Sequence, residues 1–360
     1  MDIEEKIELI TRLPTEEVIT NEDLRQLLET NDHPIAYNGF EPSGMMHLGT
    51  GLISGSKMMD LTKAGVRYKV LLADWHAFLN RKLEGDMEKI RQAAEYFIKG
   101  WDALGVKNVE YIYASKLLEE KPDYWEKVMK ISMNTTFKRV IRCLPIMGRV
   151  AEKYEGLAIS SFLYPLMQCA DIFELEVDIT QLGMDQRHAN MLAREIAPTM
   201  GYSKPVAVHH HLLMGLIKAE RMGYDADTAI DAQISAKQSK SRPESAIFIH
   251  DTPEEIKQKI KRAYCPIAQT EENPIIEIVK YIFLRENDSI LEIKRKAEHG
   301  GDLTVTLPEL LDLYQKELIH PQDLKNAVAE NLIEMLAPAR TYFEDHPKYL
   351  EIFKTTQITR

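Results

Sequence analysis

The chain has 360 residues, 44% of them hydrophobic and 28% charged, with a net charge of −11, which describes a globular protein of two domains or one large α/β domain with an appendage. The acidic balance excludes indiscriminate nucleic-acid binding but leaves room for a specific RNA held by local basic patches. No run approaches the ~18 apolar residues of a membrane span, the start MDIEEKIELITRLP is acidic where a signal peptide would be basic, and Cys143, Cys169 and Cys265, far apart and without metal spacing, point to a reducing cytoplasm.

In chain order, residues 1–33 read as a helical segment. Five short apolar or β-branched runs follow as strands: 34–40, 68–74, 109–115, 177–183 and 206–213. Helical patterns fill the gaps at 47–64, 86–104, 122–143, 157–174 and 185–200. Alternating strands and helices predict an α/β fold, with a parallel sheet covered on both faces across 34–250. Residues 118–155 are too long for one crossover and read as a helical insertion. From 251 to 360 only helical patterns remain, opened by DTPEE and HPQD, where proline and acids suit the first turn. The composition shift near 250 marks a domain boundary.

The stretch YNGFEPSGMMHLGTG (37–51) places a Pro-Ser-Gly turn, a histidine and two glycines between a strand and a helix. Such a loop usually sits under a phosphate. Two familiar cradles fail by spacing: position 54 is serine where a dinucleotide fingerprint needs glycine, and Gly55 is followed by Ser56 and Lys57 where a P-loop needs Gly-Lys. About 190 residues later KQSKS (237–241) lies in a polar loop spanning about 233–245. His47 at a helix N-terminus can donate to triphosphate oxygens, and Gly49 leaves room for an adenine ring against the backbone. Lys237 and Lys240 can meet charge developing on an α-phosphate and leaving pyrophosphate.

HLGT (47–50) resembles the HIGH motif of class I aminoacyl-tRNA synthetases, and KQSKS resembles their KMSKS loop. With LLADWHAFLN, YPLMQCADI, GMDQRHANMLARE, AYCP, GGDLTV and HPQDLKNAVAE, the chain resembles the archaeal-type tyrosyl-tRNA synthetases from about residue 35 to 335. Two positions depart from the motifs, Thr50 for the second histidine and Gln238 for the methionine. The resemblance implies a Rossmann-like catalytic domain at 34–250 and a helical anticodon-binding domain at 251–360. It implies an ATP site at His47, Gly49, Thr50, Lys237, Ser239 and Lys240, with magnesium accompanying the nucleotide. It also implies a tyrosine pocket in which Tyr37 and Asp171 hold the phenol hydroxyl. Tyr164 and Gln168, with Gln186 nearby, would take the amino group, and His76 would line the pocket. The partners implied are tyrosine, ATP, tRNA(Tyr) and a second copy of the chain, docked through the insertion. Asp323 and Phe283 match the residues that recognise the first anticodon base, and Arg139 and Arg142 are candidates for the tRNA backbone.

Spacing bears on part of this independently. Tyr164, Gln168 and Asp171 are four and three residues apart, so one helix face carries all three. A polar face amid FLYPLM and IF implies a buried polar site or a helix bordering a cleft. The run HHH (209–211) cannot converge on a metal, because neighbouring strand residues face opposite sides. Tryptophanyl-tRNA synthetases share the architecture, a small nucleotidyltransferase shares the H-x-G motif, and a non-catalytic RNA-binding paralogue would fit Thr50. A Tyr and Asp pair aimed at a hydroxyl favours tyrosine over an indole.

Overall fold

The computed structural model describes residues 1–148, 156–218, 228–238 and 243–356. The chain opens with helix α1 (Ile3–Thr11), strand β1 (Thr15–Ile19) and helix α2 (Asn21–Thr30). Asp2 and Glu5 close the N-terminus of α1 reciprocally, as in a capping box. The helical reading of residues 1–33 needs one correction, the edge strand β1. Glu16 lies 2.6 Å from His211 and Glu17 2.8 Å from His209. Those cross-strand pairings outweigh the helical preference of two adjacent glutamates.

The main sheet also holds β2 (Ile35–Phe40), β3 (Arg67–Leu72), β4 (Val109–Tyr113), β5 (Ile179–Gly183) and β6 (Val206–His210). Its order is β1-β6-β5-β2-β3-β4, with every neighbour parallel except β1 against β6. All five residues of β5 and of β6 are buried. Such strands read as continuous apolar runs because both faces are covered.

Covering helices follow each strand: α3 (Ser54–Lys63) after β2, then α4 (Asp74–Leu79) and α5 (Met87–Ala103) after β3. After β4 come α6 (Ala114–Glu120), α7 (Tyr124–Met133), α8 (Phe137–Cys143) and α9 (Ile159–Glu174), and α10 (Arg187–Ile196) follows β5. The helix expected over 122–143 is two helices. Asn134-Thr135-Thr136 breaks it, and the Thr136 hydroxyl caps α8 by accepting from the Arg139 N–H at 3.3 Å. Strand order reverses between β2 and β5, so a crevice opens at their carboxyl ends.

Beyond β6 lie α11 (Thr228–Ala236), α12 (Pro253–Arg262) and α13 (Pro274–Ile278), then α14 (Leu307–Gln315), α15 (Pro321–Met335), α16 (Ala337–Asp345) and α17 (Glu351–Thr355). Thr252 and Glu255 form a capping box ahead of α12, with Pro253 in its first turn. The tail is mainly helical, with one addition: an antiparallel hairpin of β7 (Leu291–Ile293) and β8 (Leu303–Val305). Gly300 and Gly301, at φ of 94° and 74°, turn the chain there in a region open to glycine.

One apolar core runs through Ile10, Ile53, Val208, Ile249, Ile278 and Leu324, joining N-terminal helices, sheet and tail. At its edge Lys57 is fully buried. Its Nζ donates to the carbonyls of Leu9 at 3.0 Å and Ile10 at 2.8 Å, closing the end of α1, and lies 3.3 Å from Asp60. Burial drives the ammonium down to about 7 against the pull of Asp60. The same carboxylate pairs with Arg12 and Arg285, so one acid balances three cations from three parts of the chain. Asp60→Ala takes this carboxylate from Lys57 and Arg285 and leaves Arg12 only the exposed Glu286 at 3.1 Å, and should cost about 3–5 kcal/mol in equilibrium urea unfolding. A loss under about 1 kcal/mol would mean that water replaces the carboxylate at no great cost.

Candidate active site

The crevice at the ends of β2 and β5 deepens into a cavity of about 270 Å3. Its floor is built by β2 and α9. Tyr37 points from β2 into the cavity and is 1% exposed; Asp171, on the facing side of α9, is equally buried. Asp171 Oδ1 accepts the Tyr124 hydroxyl at 2.7 Å, while Oδ2 lies 3.1 Å from His76 Nε2 without the alignment of a hydrogen bond. Burial and the Asp171 charge both push the Tyr37 phenol well above its ordinary range, so it stays a donor. For His76, burial alone would lower the imidazole, but Asp171, then Glu41 and Asp74, outweigh it and raise it.

Nearer the mouth, the Tyr164 hydroxyl donates to Glu41 Oε1 at 2.8 Å, and its ring meets His76 edge-on with centroids 4.8 Å apart. Gln168 Nε2 donates to Gln186 Oε1 at 3.3 Å. Tyr164, Gln168 and Asp171 thus share the face of α9 that borders the cavity, with Gln186, Tyr37 and His76 around them. A buried acid and phenol at the floor suit a hydroxyl. Carboxylate and amide oxygens at the mouth suit an ammonium.

The other half of the cavity is bordered by His47, Gly49, Thr50 and Ser54. Residues Gly49–Ile53 form a wide helical turn leading into α3. A Cβ on Gly49 would sit 3.0 Å from the His47 ring, and one on Gly51 only 2.6 Å from Ile249. Glycine is therefore required at 51 for the turn to pack, whereas a side chain at 49 would push the His47 ring by a few tenths of an ångström. The Thr50 N–H faces His47 Nδ1 at 3.4 Å, and the Thr50 carbonyl accepts from Trp101 Nε1 at 3.0 Å.

Across the cavity Lys237 Nζ donates to Asp185 Oδ2 at 2.6 Å. Burial would raise the Asp185 carboxyl, yet the Lys237 ammonium beside it brings it below the ordinary range. Gln238 is buried, and neither of its side-chain amide atoms has a hydrogen-bond partner among the described residues. Ser239 and Lys240 lie outside the described residues.

The three consecutive histidines diverge. His209 lies 2.8 Å from Glu17 and 2.9 Å from Asn190. His210 borders the cavity 2.7 Å from Gln181, and burial lowers it to about 4, so it is neutral. His211 takes a third set of partners on β1 and α13.

Tyr124, Glu41 and Asp185 are the residues that sequence reasoning did not single out. Asp185 adjoins Gln186 in GMDQ and Glu41 lies in GFEPSG, so both sat inside recognisable motifs; Tyr124, in the insertion, carries no local signal. The remaining candidates lie away from the cavity. Asp323 is in the first turn of α15, its N–H donating to the His320 carbonyl at 3.0 Å. Phe283 is half-buried against the core. Arg139 forms two bonds of 2.8 Å to Glu195, and Arg142 is exposed.

Residues 29–337 match the family model for tRNA synthetases class I (W and Y). A tyrosine–tRNA ligase from Pyrococcus furiosus is 46% identical, over the whole of both chains. The crystal structure of a tyrosyl-tRNA synthetase from Pyrococcus horikoshii, complexed with L-tyrosine, superposes with a TM-score of 0.91 at 45% identity, covering 99% of this chain and 100% of that one. A tyrosyl-tRNA synthetase from Aeropyrum pernix gives 0.85 at 37% identity, covering 98% of each chain.

Proposed function

Because the chain belongs to the class I tRNA synthetases of the tryptophan and tyrosine type, we propose that it is an ATP-dependent ligase joining tyrosine to the 3′ end of tRNA(Tyr). The observation that carries the choice of amino acid is the cavity floor, where a protonated phenol and a carboxylate lie together in a buried pocket. A phenyl ring would bring no polar atom to meet them, and an indole would bring a donor but no acceptor for the Tyr37 hydroxyl.

The reaction has two steps. A tyrosine carboxylate oxygen attacks the α-phosphorus of ATP, the bond to the bridging oxygen breaks, and pyrophosphate leaves. The terminal ribose hydroxyl of the tRNA then attacks the tyrosyl carbonyl, and AMP departs. No protein nucleophile is needed, so the chain contributes positioning and electrostatics. Tyr37 and Asp171 fix the phenol; Tyr164, Gln168 and Gln186 take the ammonium, with His76 beside them. His47, Gly49 and Thr50 receive the nucleotide at the start of a helix, where N–H groups favour anions. Lys237 exchanges Asp185 for phosphate oxygens, and Ser239 and Lys240 are assigned beside it by motif alone.

Magnesium would accompany ATP and would supply positive charge against the phosphates. Asp185 in the cavity is paired with Lys237, and no trio of His, Cys, Asp or Glu among the described residues is placed to hold a metal.

Pyrophosphate exchange into ATP, run with each of the twenty amino acids, tests the reading. Exchange with tyrosine and no other is expected. Exchange with tryptophan, or with none, would overturn it.

Residues 251–360 are read as the anticodon-binding unit. A carboxylate at Asp323 can accept from guanine N1 and its exocyclic amine together, and stacking on Phe283 would add roughly 1–3 kcal/mol. Asp323→Ala should leave tyrosyl-adenylate formation untouched, raise the KM for tRNA, and shrink the penalty for replacing the first anticodon base. An unchanged penalty would make Asp323 an ordinary acid at a helix start, worth under ~1 kcal/mol. Arg142 is free to meet the tRNA backbone; Arg139 would first have to release Glu195.

The insertion supports a homodimer. Met133 and Phe137 in it, and Ile159 at the start of α9 beyond it, are 84%, 64% and 78% exposed, more apolar surface than solvated helices need. Phe137→Glu should shift the mass seen by light scattering from two chains to one, and an unchanged mass would place the interface elsewhere. We infer a cytoplasmic enzyme, in keeping with three free cysteines; no described helix is long and apolar enough to cross a membrane.

A further inference from the structure

The third histidine of the 209–211 run lies between two acids. His211 Nδ1 is 2.6 Å from Glu16 Oε1 on β1, and Nε2 is 2.9 Å from Glu277 Oε2 on α13. A neutral imidazole can donate from one nitrogen only, so a ring with a carboxylate at each is an imidazolium. The ring also stacks on Tyr281, with centroids 3.9 Å apart and planes at 15°. The Tyr281 hydroxyl faces Glu16 at 3.4 Å, and Lys280 lies over the Tyr281 ring. Burial would lower His211, but Glu16 and Glu277 raise it to about 9.

Both carboxylates reach onward to the same place. Glu277 Oε2 also accepts the Met214 N–H at 2.8 Å, and Met214 is bridge-paired to Lys237. Glu16 Oε2 accepts Gln233 Nε2 at 3.1 Å, and the Gln233 carbonyl accepts the Lys237 N–H at 3.0 Å. Two separate paths from one ring therefore converge on Lys237: one holds its N–H through Gln233, and the other, through the Met214 bridge, holds its neighbours, with Gly215 N–H donating to Ala236 at 2.7 Å and Gln238 N–H to Leu213 at 2.9 Å.

We propose that His211, clamped by Glu16 and Glu277, is a positioning residue for the reaction, fixing the backbone of Lys237 and tying it to tail helix α13. The proposal rests on the reading of Lys237 as the lysine that meets the phosphates. It makes the placement of that lysine depend on a contact between the sheet edge and the tail. His211 borders the same cavity, but both of its ring nitrogens are taken by Glu16 and Glu277, so in this scheme it acts through Lys237.

Pyrophosphate exchange with four forms of the full chain tests this: the parent, Glu277→Gln, Lys237→Ala and the double variant. Glu277→Gln keeps the shape and an oxygen for Met214 while removing the charge from one side of His211. It should lower kcat by about 10- to 100-fold, the scale of a small misplacement at a reacting centre, with the KM for tyrosine within about twofold. Adding it to Lys237→Ala should then cost almost nothing, because the group it positions is gone. A second full loss in the double variant, or a parent-like kcat in Glu277→Gln, overturns the proposal. If Lys237→Ala alone is parent-like, the reading of Lys237 fails instead, and the two failures are told apart.

Discussion

Replacing Lys237 by alanine should slow tyrosyl-adenylate formation by on the order of 10²–10³-fold, with tyrosine affinity little changed. The magnitude is that of one preorganised charge or donor acting on developing negative charge in a site shielded from water. Lys237 is suited to the role by what it does before substrate arrives. Its ammonium is held 2.6 Å from Asp185 on the cavity wall, so a cation stands ready, and moving it to a phosphate exchanges one anion for another. The floor residues Tyr37 and Asp171 are on other elements, which is why the loss should fall on kcat. The alanine variant also strips Asp185 of its counter-charge in a partly buried place, so Lys237→Arg is the control that keeps a cation there. Its compact ammonium replaced by a planar fork, that variant should recover only part of the rate. Single-turnover activation by Lys237→Ala at the parent's rate would remove this residue from the chemistry. Lys240 carries the same expectation from the motif.

The parts of this molecule that were legible in the sequence share a property: their determinants are local. The parallel strands announced themselves as apolar runs because both faces of β5 and β6 are covered. Tyr164, Gln168 and Asp171 could be placed on one face because helix geometry fixes residues three and four apart. What stayed hidden depends on partners far along the chain. Tyr124 reaches Asp171 across 47 residues, and nothing around Tyr124 marks it as a ligand-site residue. Strand β1 forms because Glu16 and Glu17 meet histidines almost 200 residues later, which no local preference for helix could anticipate. The half-burial of Phe283 against the core likewise depends on residues from other parts of the chain. The assignment of Asp185 as the partner of Lys237 needed the fold, since 52 residues separate them.

Asp171→Asn and Tyr37→Phe should each erode the preference for tyrosine over phenylalanine while leaving the KM for ATP almost unchanged. Rejection of phenylalanine by about 10⁵ is the established behaviour of tyrosyl-tRNA synthetases as a class; the geometry here adds which residues would deliver it. Asp171 is a carboxylate in a place where water is nearly excluded, and a hydrogen bond from a phenol to it is charge-assisted. Losing that charge should cost about 1.5–3 kcal/mol in kcat/KM for tyrosine, roughly 10- to 150-fold. Tyr37→Phe removes a neutral partner and should cost less, about 0.5–1.5 kcal/mol. Asparagine is the better probe than alanine, because Asp171 also accepts from Tyr124 and stands beside His76. An empty space there would unsettle groups that do not touch the substrate. Phenylalanine should respond in the opposite sense or not at all, since the groups it leaves unpaired become less costly to leave so. The two substitutions should also fall short of additivity when combined, because both act on one hydroxyl. Measuring kcat/KM for both amino acids in the three variants decides it. A tyrosine-to-phenylalanine ratio equal to the parent's in both single variants would place the hydroxyl elsewhere in the cavity.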